Sequence, residues 1–153
     1  MSIPAPPARS RPARPADYDA IAAVVDDWWG RPVLGALPRL FLDHFHATSA
    51  VVDGPDGPAA FLVGFLSPSE PDWAYIQFVG VSPAARGRGL ARQLYEEFFA
   101  LARGDGRRLV GAVTGPVNAR SVAFHRAMGF TVTGPVADYD GPGHGKIVFR
   151  REL

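Results

Sequence analysis

The sequence predicts an α/β fold with a mixed sheet, and three observations support this prediction. Apolar runs with a two-residue period alternate with runs of helical period along the 153 residues. At Val79–Leu101 a strand, a glycine-rich turn and an amphipathic helix follow one another directly. This helix joins two predicted strands, and a helical crossover of this kind is typical of parallel strands.

The composition is that of an ordinary globular domain, with 47% hydrophobic and 20% charged residues. We expect a disordered lead-in at residues 1–8, followed by a single domain at residues 9–153. The N-terminus lacks the apolar core of a signal peptide, and no apolar run is long enough for a membrane span, so we expect a cytoplasmic protein. The formal net charge of +1 gives no reason to expect nucleic acid or a membrane surface as a partner. Since the chain has no cysteine, disulfides, thiol nucleophiles and thiolate metal sites are excluded.

Six elements are predicted before the glycine-rich turn. Pro12 restricts the first strand to a sheet edge, and Asp17 is a typical N-terminal cap for the first helix. In the last strand of this group, alternation places Tyr75, Gln77, Val79 and Val81 on one face. The predicted elements are a strand at Arg9–Arg14, a helix from Asp17 to Gly30, a helix from Pro38 with Leu37, Leu40, Phe41 and Phe45 on its apolar side, and strands at Ser49–Asp53, Ala59–Leu66 and Trp73–Val81.

Five elements are predicted after that turn. Asn118 is a good helix N-cap and Gly129 a good residue just past a helix end, so a helix is expected between them. The predicted elements are a helix that buries Leu90, Ala91, Leu94, Phe98 and Leu101, a strand at Arg108–Val113, the helix from Asn118 to Met128, and strands at Phe130–Val136 and Lys146–Arg151.

The glycine-rich turn before the long helix predicts an anion site. The first N–H groups of a helix have no internal partner, and the helix dipole adds positive charge there. Gly87 and Gly89 let the backbone approach a phosphate closely, while Arg86 and Arg88 contribute positive charge. The third glycine of a dinucleotide-binding fold and the Lys-Ser/Thr pair of a P-loop are both missing. A pyrophosphate is the expected ligand.

Two segments of the chain resemble motifs of the GNAT N-acetyltransferase superfamily. Residues Val81–Ala91 are similar to its acetyl-CoA motif Q/R-x-x-G-x-G/A, with Arg86, Gly89 and Ala91 at the defined positions. Asn118–Phe130 is similar to the family's closing asparagine–helix–Gly–Phe segment. The resemblance implies a mostly antiparallel sheet of six to seven strands, a V-shaped splay between its central strands and about four flanking helices.

The resemblance also implies an acetyl-CoA site and assigns residues to it. The loop amides would hold the CoA pyrophosphate, the strand backbone would bond the pantetheine arm, and Val79 would polarise the thioester carbonyl. The cofactor-binding residues implied in this way are Val79, Gly80, Val81, Arg86, Gly87, Arg88, Gly89, Leu90, Ala91, Asn118, Phe124 and His125.

The implied reaction is direct transfer of an acetyl group to the primary amine of a small molecule or peptide. His125 falls where many family members carry a tyrosine that protonates the departing thiolate, and it would either donate that proton or pack beside CoA. Tyr75 and Gln77 are expected to line the acceptor cleft, with Trp29 as an apolar wall, and Tyr75 is counted with His125 and Val79 among the candidate catalytic residues. Neither Tyr75 nor Gln77 is a natural base at pH 7, so we expect direct attack with proton loss through water, and a water relay to Glu70, Asp72, His44 or His46 is the alternative. His44 and His46 lie two apart on a helix and face different ways, so no metal site is expected.

Two other classes of function stay open at this point. The unusual His125 and the missing base also fit a non-catalytic acyl-CoA sensor or interaction domain. A nucleotide or phosphate binder that uses only the helix N-terminus is the third alternative. Family members often dimerise, so a homodimer is one assembly that the resemblance allows, although no segment fixes an interface.

Overall fold

A computed structural model describes residues 8–153 of the chain. The predicted disordered lead-in at residues 1–8 lies outside the described residues, except for Ala8. The carbonyl of Ala8 accepts a hydrogen bond of 2.6 Å from the Gln93 side chain. Seven strands and five α-helices follow. They are β1 Ser10–Pro12, α1 Asp17–Ala22, α2 Val25–Trp29, α3 Leu40–Phe45, β2 Ala50–Gly54, β3 Gly57–Leu66, β4 Trp73–Val81, α4 Leu90–Gly104, β5 Leu109–Thr114, α5 Ala119–Ala127, β6 Thr131–Val136 and β7 Lys146–Glu152.

The seven strands form one mixed sheet in the order β1-β2-β3-β4-β5-β7-β6. The pair β4–β5 is parallel, as the helical crossover between them predicts, whereas β1–β2, β2–β3, β5–β7 and β6–β7 are antiparallel. Within residues 8–153, the β4–β5 ladder consists of three residue pairs that begin at Trp73–Leu109 and end at Tyr75–Gly111. Strand β4 continues past the end of this ladder to Val81. The fold class predicted from the sequence is confirmed.

Strand β4 contains one residue more than the matching stretch of β3. The Ser67 N–H bonds the Trp73 carbonyl at 3.0 Å, and the Ser82 N–H bonds the Ala59 carbonyl at 2.8 Å. Between these two bonds β3 advances by eight residues and β4 by nine, so β4 carries a bulge. The uninterrupted alternation predicted for β4 is therefore wrong, because the bulge shifts the side-chain period by one residue.

The first predicted helix is two helices. Val24 has φ of −120°, outside the helical range, and separates α1 from α2. The adjacent β-branched residues Val24 and Val25 lower the helix propensity at this point. Helix α2 ends at Gly30, whose left-handed φ of +69° fits the predicted stop.

Two predicted core residues are exposed. Leu40 is 49% exposed at the start of α3, where Leu42 is the buried residue. Leu101 is 38% exposed because the buried stripe of α4 passes beside it. The buried α4 residues are Leu90, Leu94, Tyr95, Phe98, Phe99 and Ala102.

The chain divides into two compact units. Unit 1 comprises the described residues up to Val63 together with Phe78–Glu96, and unit 2 comprises Gly64–Gln77 together with Glu97–Leu153. The core of unit 1 is aliphatic and aromatic, and it includes Ile21, Val25, Leu37, Leu42, Phe61 and Val63. The core of unit 2 includes Phe99, Phe130 and Phe149, with His125 stacked on Phe149. That residues 9–153 form a single domain stays a prediction.

Candidate functional site

The glycine loop, Arg86–Gly89, joins a short 3₁₀ turn to the N-terminus of α4 in unit 1. Gly87 and Gly89 have φ of +83° and +72°, values that only glycine adopts readily. The Gly89 carbonyl accepts the Gln93 N–H at 3.0 Å, which makes Gly89 the residue from which the helix begins. The loop sequence thus sets the direction in which the first amides of α4 point.

The glycine loop has the properties that a diphosphate requires. It lies at the N-terminus of a 15-residue helix, where amides without helical partners and the helix dipole favour negative charge. A Cβ added at Gly87 or Gly89 would meet nothing within 4 Å, so open space lies beside both residues. Arg86 and Arg88 are exposed on either side of Gly87. The residues present therefore fit the pyrophosphate of CoA.

The end of β4 packs its Gly80 closely against aromatic rings of unit 1. A Cβ at Gly80 would lie 2.7 Å from the Phe61 ring and 3.2 Å from the Trp29 ring. Phe61 stacks on Phe78 at 5.8 Å between centroids, and Trp29 packs on Phe78 at 5.0 Å. Trp29, predicted as a wall of the acceptor pocket, thus lies against the same strand that contains Val79–Val81.

Tyr75 and Gln77 belong to unit 2. The Tyr75 ring lies 5.5 Å from the Phe65 ring, and a Cβ at Gly111 would lie 3.2 Å from it. Burial, and to a smaller extent the neighbouring Tyr139 and Asp140, raise the pKa of Tyr75 to about 12. The phenol is therefore protonated at neutral pH and is a hydrogen-bond donor rather than a base.

Asn118 caps α5, as its position in the sequence predicts. Its side-chain oxygen accepts the Ser121 N–H at 3.1 Å, and its amide nitrogen donates to the Thr114 hydroxyl at 3.2 Å. Gly129 has φ of +86° just past the end of α5, which also agrees with the prediction. The functional roles predicted for Asn118 and Phe124 in cofactor binding stay predictions.

His125 is buried in unit 2, with 5% of its surface exposed. Its ring stacks on Phe149 with centroids 3.8 Å apart and planes 4° from parallel. Nδ1 lies 2.8 Å from the Ser121 carbonyl oxygen, which can only accept, so the hydrogen is assigned to Nδ1. Burial outweighs this bond and lowers the pKa of His125 to about 4. The imidazole is neutral at pH 7, which favours the packing role over donation of a proton, and the catalytic role stays a prediction.

The structure places the predicted site residues in both units. Unit 1 contains the glycine loop, Leu90, Ala91, Val79–Val81 and Trp29, whereas unit 2 contains Tyr75, Gln77, Asn118, Phe124 and His125.

Sequence reasoning missed a bond of 2.9 Å from the Arg86 guanidinium to the Trp28 carbonyl, because nothing local connects residues 58 positions apart. It also missed Asp26, whose carboxylate accepts the N–H groups of Val33 and Leu34 at 2.8 and 3.0 Å. The sequence signal for this role of Asp26 was a carboxylate one helical turn before Gly30, the glycine that ends α2.

Comparison with known proteins decides the family. The family model of the acetyltransferase (GNAT) family matches residues 12–130. The chain belongs to the GNAT family. This match includes the glycine loop and all of the predicted site residues.

The curated relatives are named as acetyltransferases of a diamino acid. The L-2,4-diaminobutyric acid acetyltransferase of Streptomyces coelicolor is 37% identical over 84 residues, which are 54% of this chain and 49% of that protein. The enzyme of the same name from Nocardia farcinica is 28% identical over 89 residues, which are 58% of this chain and 46% of that protein. The chain thus spans about half the length of the curated relatives that it matches.

Solved structures share the GNAT fold. Diaminobutyrate acetyltransferase EctA from Paenibacillus lautus, in complex with L-2,4-diaminobutyric acid and coenzyme A, superposes with a TM-score of 0.71 at 18% identity, covering 93% of this chain and 92% of that chain. Within residues 8–153 of this GNAT chain, no helix has the length and apolar character needed to cross a bilayer.

Proposed function

We propose that the chain is an acetyl-CoA-dependent N-acetyltransferase that acts on a primary amine of a small molecule. The observation that carries the proposal is the glycine loop at the start of α4, in a chain of the GNAT family. Gly87 and Gly89 hold the loop in a conformation with open space beside it, and Arg86 and Arg88 supply positive charge. These features support a site for the CoA diphosphate.

The pantetheine arm is proposed to lie along the end of β4. The ladder of β4 with β5 ends at Tyr75, and this supports a role for the backbone of Val79, Gly80 and Val81 in bonding an extended ligand. Acetyl-CoA, when bound, supplies an acetyl thioester. A donor N–H held close to a carbonyl that gains negative charge contributes about 3 kcal/mol to catalysis. We propose the amide of Val79 for that donor.

The acceptor amine must be neutral to react. A lysine-like amine has a pKa near 10.4, so at pH 7 only about one molecule in a few thousand is neutral. Tyr75 is protonated at this pH, and the proposal therefore assigns proton removal to water rather than to this side chain. Trp29, Tyr75 and Gln77 are proposed to orient the amine, and Asn118, Phe124 and His125 to contact CoA.

The class of acceptor is proposed from the relatives. Curated relatives named L-2,4-diaminobutyric acid acetyltransferase match up to 58% of this chain. This supports a small molecule with one or more amino groups, and L-2,4-diaminobutyrate is the first compound to test. A cytoplasmic location and a homodimer belong to the same proposal.

The second candidate is a non-catalytic acyl-CoA-binding domain. The observation that favours it is the buried, neutral His125, which at pH 7 has no imidazolium proton for a departing thiolate. A thiol has a pKa near 8.5, so its thiolate also departs without an acid, and this is why the enzyme stays the first candidate.

Release of free thiol from acetyl-CoA in the presence of an amine tests the function. The panel comprises L-2,4-diaminobutyrate, lysine, a polyamine and a peptide with a free N-terminus. We expect amine-dependent thiol release with at least one small amine, and a rate that rises with pH as more of the amine becomes neutral. CoA binding without thiol release across the panel would favour the non-catalytic domain.

A further inference from the structure

The last helical turn of α2 has a carbonyl that another part of unit 1 satisfies. The final carbonyls of a helix have no helical partners. The Gly30 N–H bonds the carbonyls of Asp26 and Asp27 at 2.8 and 3.2 Å. The next carbonyl, that of Trp28, accepts Nη2 of Arg86 at 2.9 Å. A side chain of the glycine loop thus completes the end of α2.

The segment after this carbonyl, the Trp28–Leu34 turn, is fixed at two further points. At its far end the Asp26 carboxylate accepts the N–H groups of Val33 and Leu34. Near its start the Trp29 ring packs on the Phe78 ring, 5.0 Å between centroids. The Arg86 bond is the one of these three attachments that comes from the glycine loop.

We propose that Arg86 is a positioning residue that ties the Trp28–Leu34 turn to the glycine loop, so that an anion on the loop sets the position of Trp29. This inference rests on the proposed function, in which the loop holds the CoA diphosphate and Trp29 faces the acceptor. A guanidinium has five N–H donors in a fixed plane, and the bond to Trp28 uses one of them. The same group can therefore contact a phosphate and the Trp28 carbonyl together.

Arg88 is the matched control for this role. It lies in the same loop, has the same charge and is exposed like Arg86. Among residues 8–153, its side chain forms no hydrogen bond or ion pair with the protein. Removal of either arginine takes away one positive charge near the phosphate site, but only the loss of Arg86 releases the Trp28 carbonyl.

Tryptophan fluorescence separates the positioning role of Arg86 from the positive charge that both arginines supply. In a Trp73→Phe background, Trp28 and Trp29 are the remaining tryptophans of the three in the chain. The variants Arg86→Met and Arg88→Met are compared for acrylamide quenching without ligand, for the emission change at saturating CoA, and for CoA affinity by calorimetry. Thermal unfolding of each variant confirms that it is folded.

We expect both variants to lose CoA affinity by a similar factor of about ten, because each removes one charged phosphate contact. Arg86→Met alone should show stronger acrylamide quenching without ligand and a smaller emission change with CoA. Equal quenching in the two variants would show that Arg86 does not hold the Trp28–Leu34 turn. An equal emission change would show that an anion on the loop does not set the position of Trp29 through Arg86. Failure of the parent protein to bind CoA would instead overturn the proposed function, while the quenching without ligand still reports on the tie.

Discussion

Gly89→Val should weaken CoA binding by at least about tenfold. Gly89 has φ of +72° at the start of α4, and a β-branched residue there either adopts a strained backbone or changes φ. Strain of this kind costs about 1–3 kcal/mol, and its relief would turn the first amides of α4 away from the anion. Calorimetric titration with CoA measures the loss of affinity.

Gly106→Val is the matched control for this prediction. Gly106 has φ of +79°, and a Cβ there would also meet nothing within 4 Å, so the conformational cost is of the same kind. It lies after α4, outside the glycine loop. We expect Gly106→Val to lose stability with CoA affinity unchanged. An equal loss of affinity in both variants would show that general destabilisation, and not the loop, explains the effect.

Acid should destabilise the protein through His125, in a pH range above that of the carboxylates. The folded protein keeps this imidazole neutral down to a pKa of about 4, whereas in the unfolded chain it binds a proton near pH 6.5. Between these values the unfolded state binds one proton more, so the free energy of unfolding falls as the pH falls. The full loss of unfolding free energy is about 3 kcal/mol, and about 2 kcal/mol of this loss has occurred by pH 5.

His125→Phe tests the origin of this acid sensitivity. Phenylalanine keeps a ring against Phe149 but does not titrate, so we expect the loss of unfolding free energy between pH 7.5 and pH 5.0 to disappear. Urea unfolding at the two pH values measures it. His144→Asn, a change at an exposed residue, is the control that should keep the loss.

The carboxylates of Asp17 and Asp53 act at lower pH. The Arg11 guanidinium lowers the pKa of both groups, so their contribution to stability is lost at more acidic pH than that of His125. A pH dependence that persists in His125→Phe would contradict this explanation.

The parts of the fold that local chemistry determines were predicted well. Strand β4 has the predicted bounds, because its run of apolar and β-branched residues and its flanking turns are local signals. The Asn118 cap and the start of α4 directly after Gly89 also depend on nearby residues alone. These features are enough to locate the start of α4 and the loop that precedes it.

The parts that were missed depend on distant residues. The bulge in β4 follows from its register with β3, which two hydrogen bonds at the opposite ends of β4 determine. The bond from Arg86 to the Trp28 carbonyl joins residues 58 positions apart, and the stacking of His125 on Phe149 joins α5 to β7. Sequence patterns show which residue types are present, but these contacts depend on how the elements pack.

A crystal structure of the protein grown with CoA tests the central claim most directly. We predict that the diphosphate lies within hydrogen-bonding distance of the backbone amides between Gly87 and Leu90, with the pantetheine arm along Val79–Val81. Density for CoA elsewhere, or a glycine loop without ligand at saturating CoA, would contradict the proposed site.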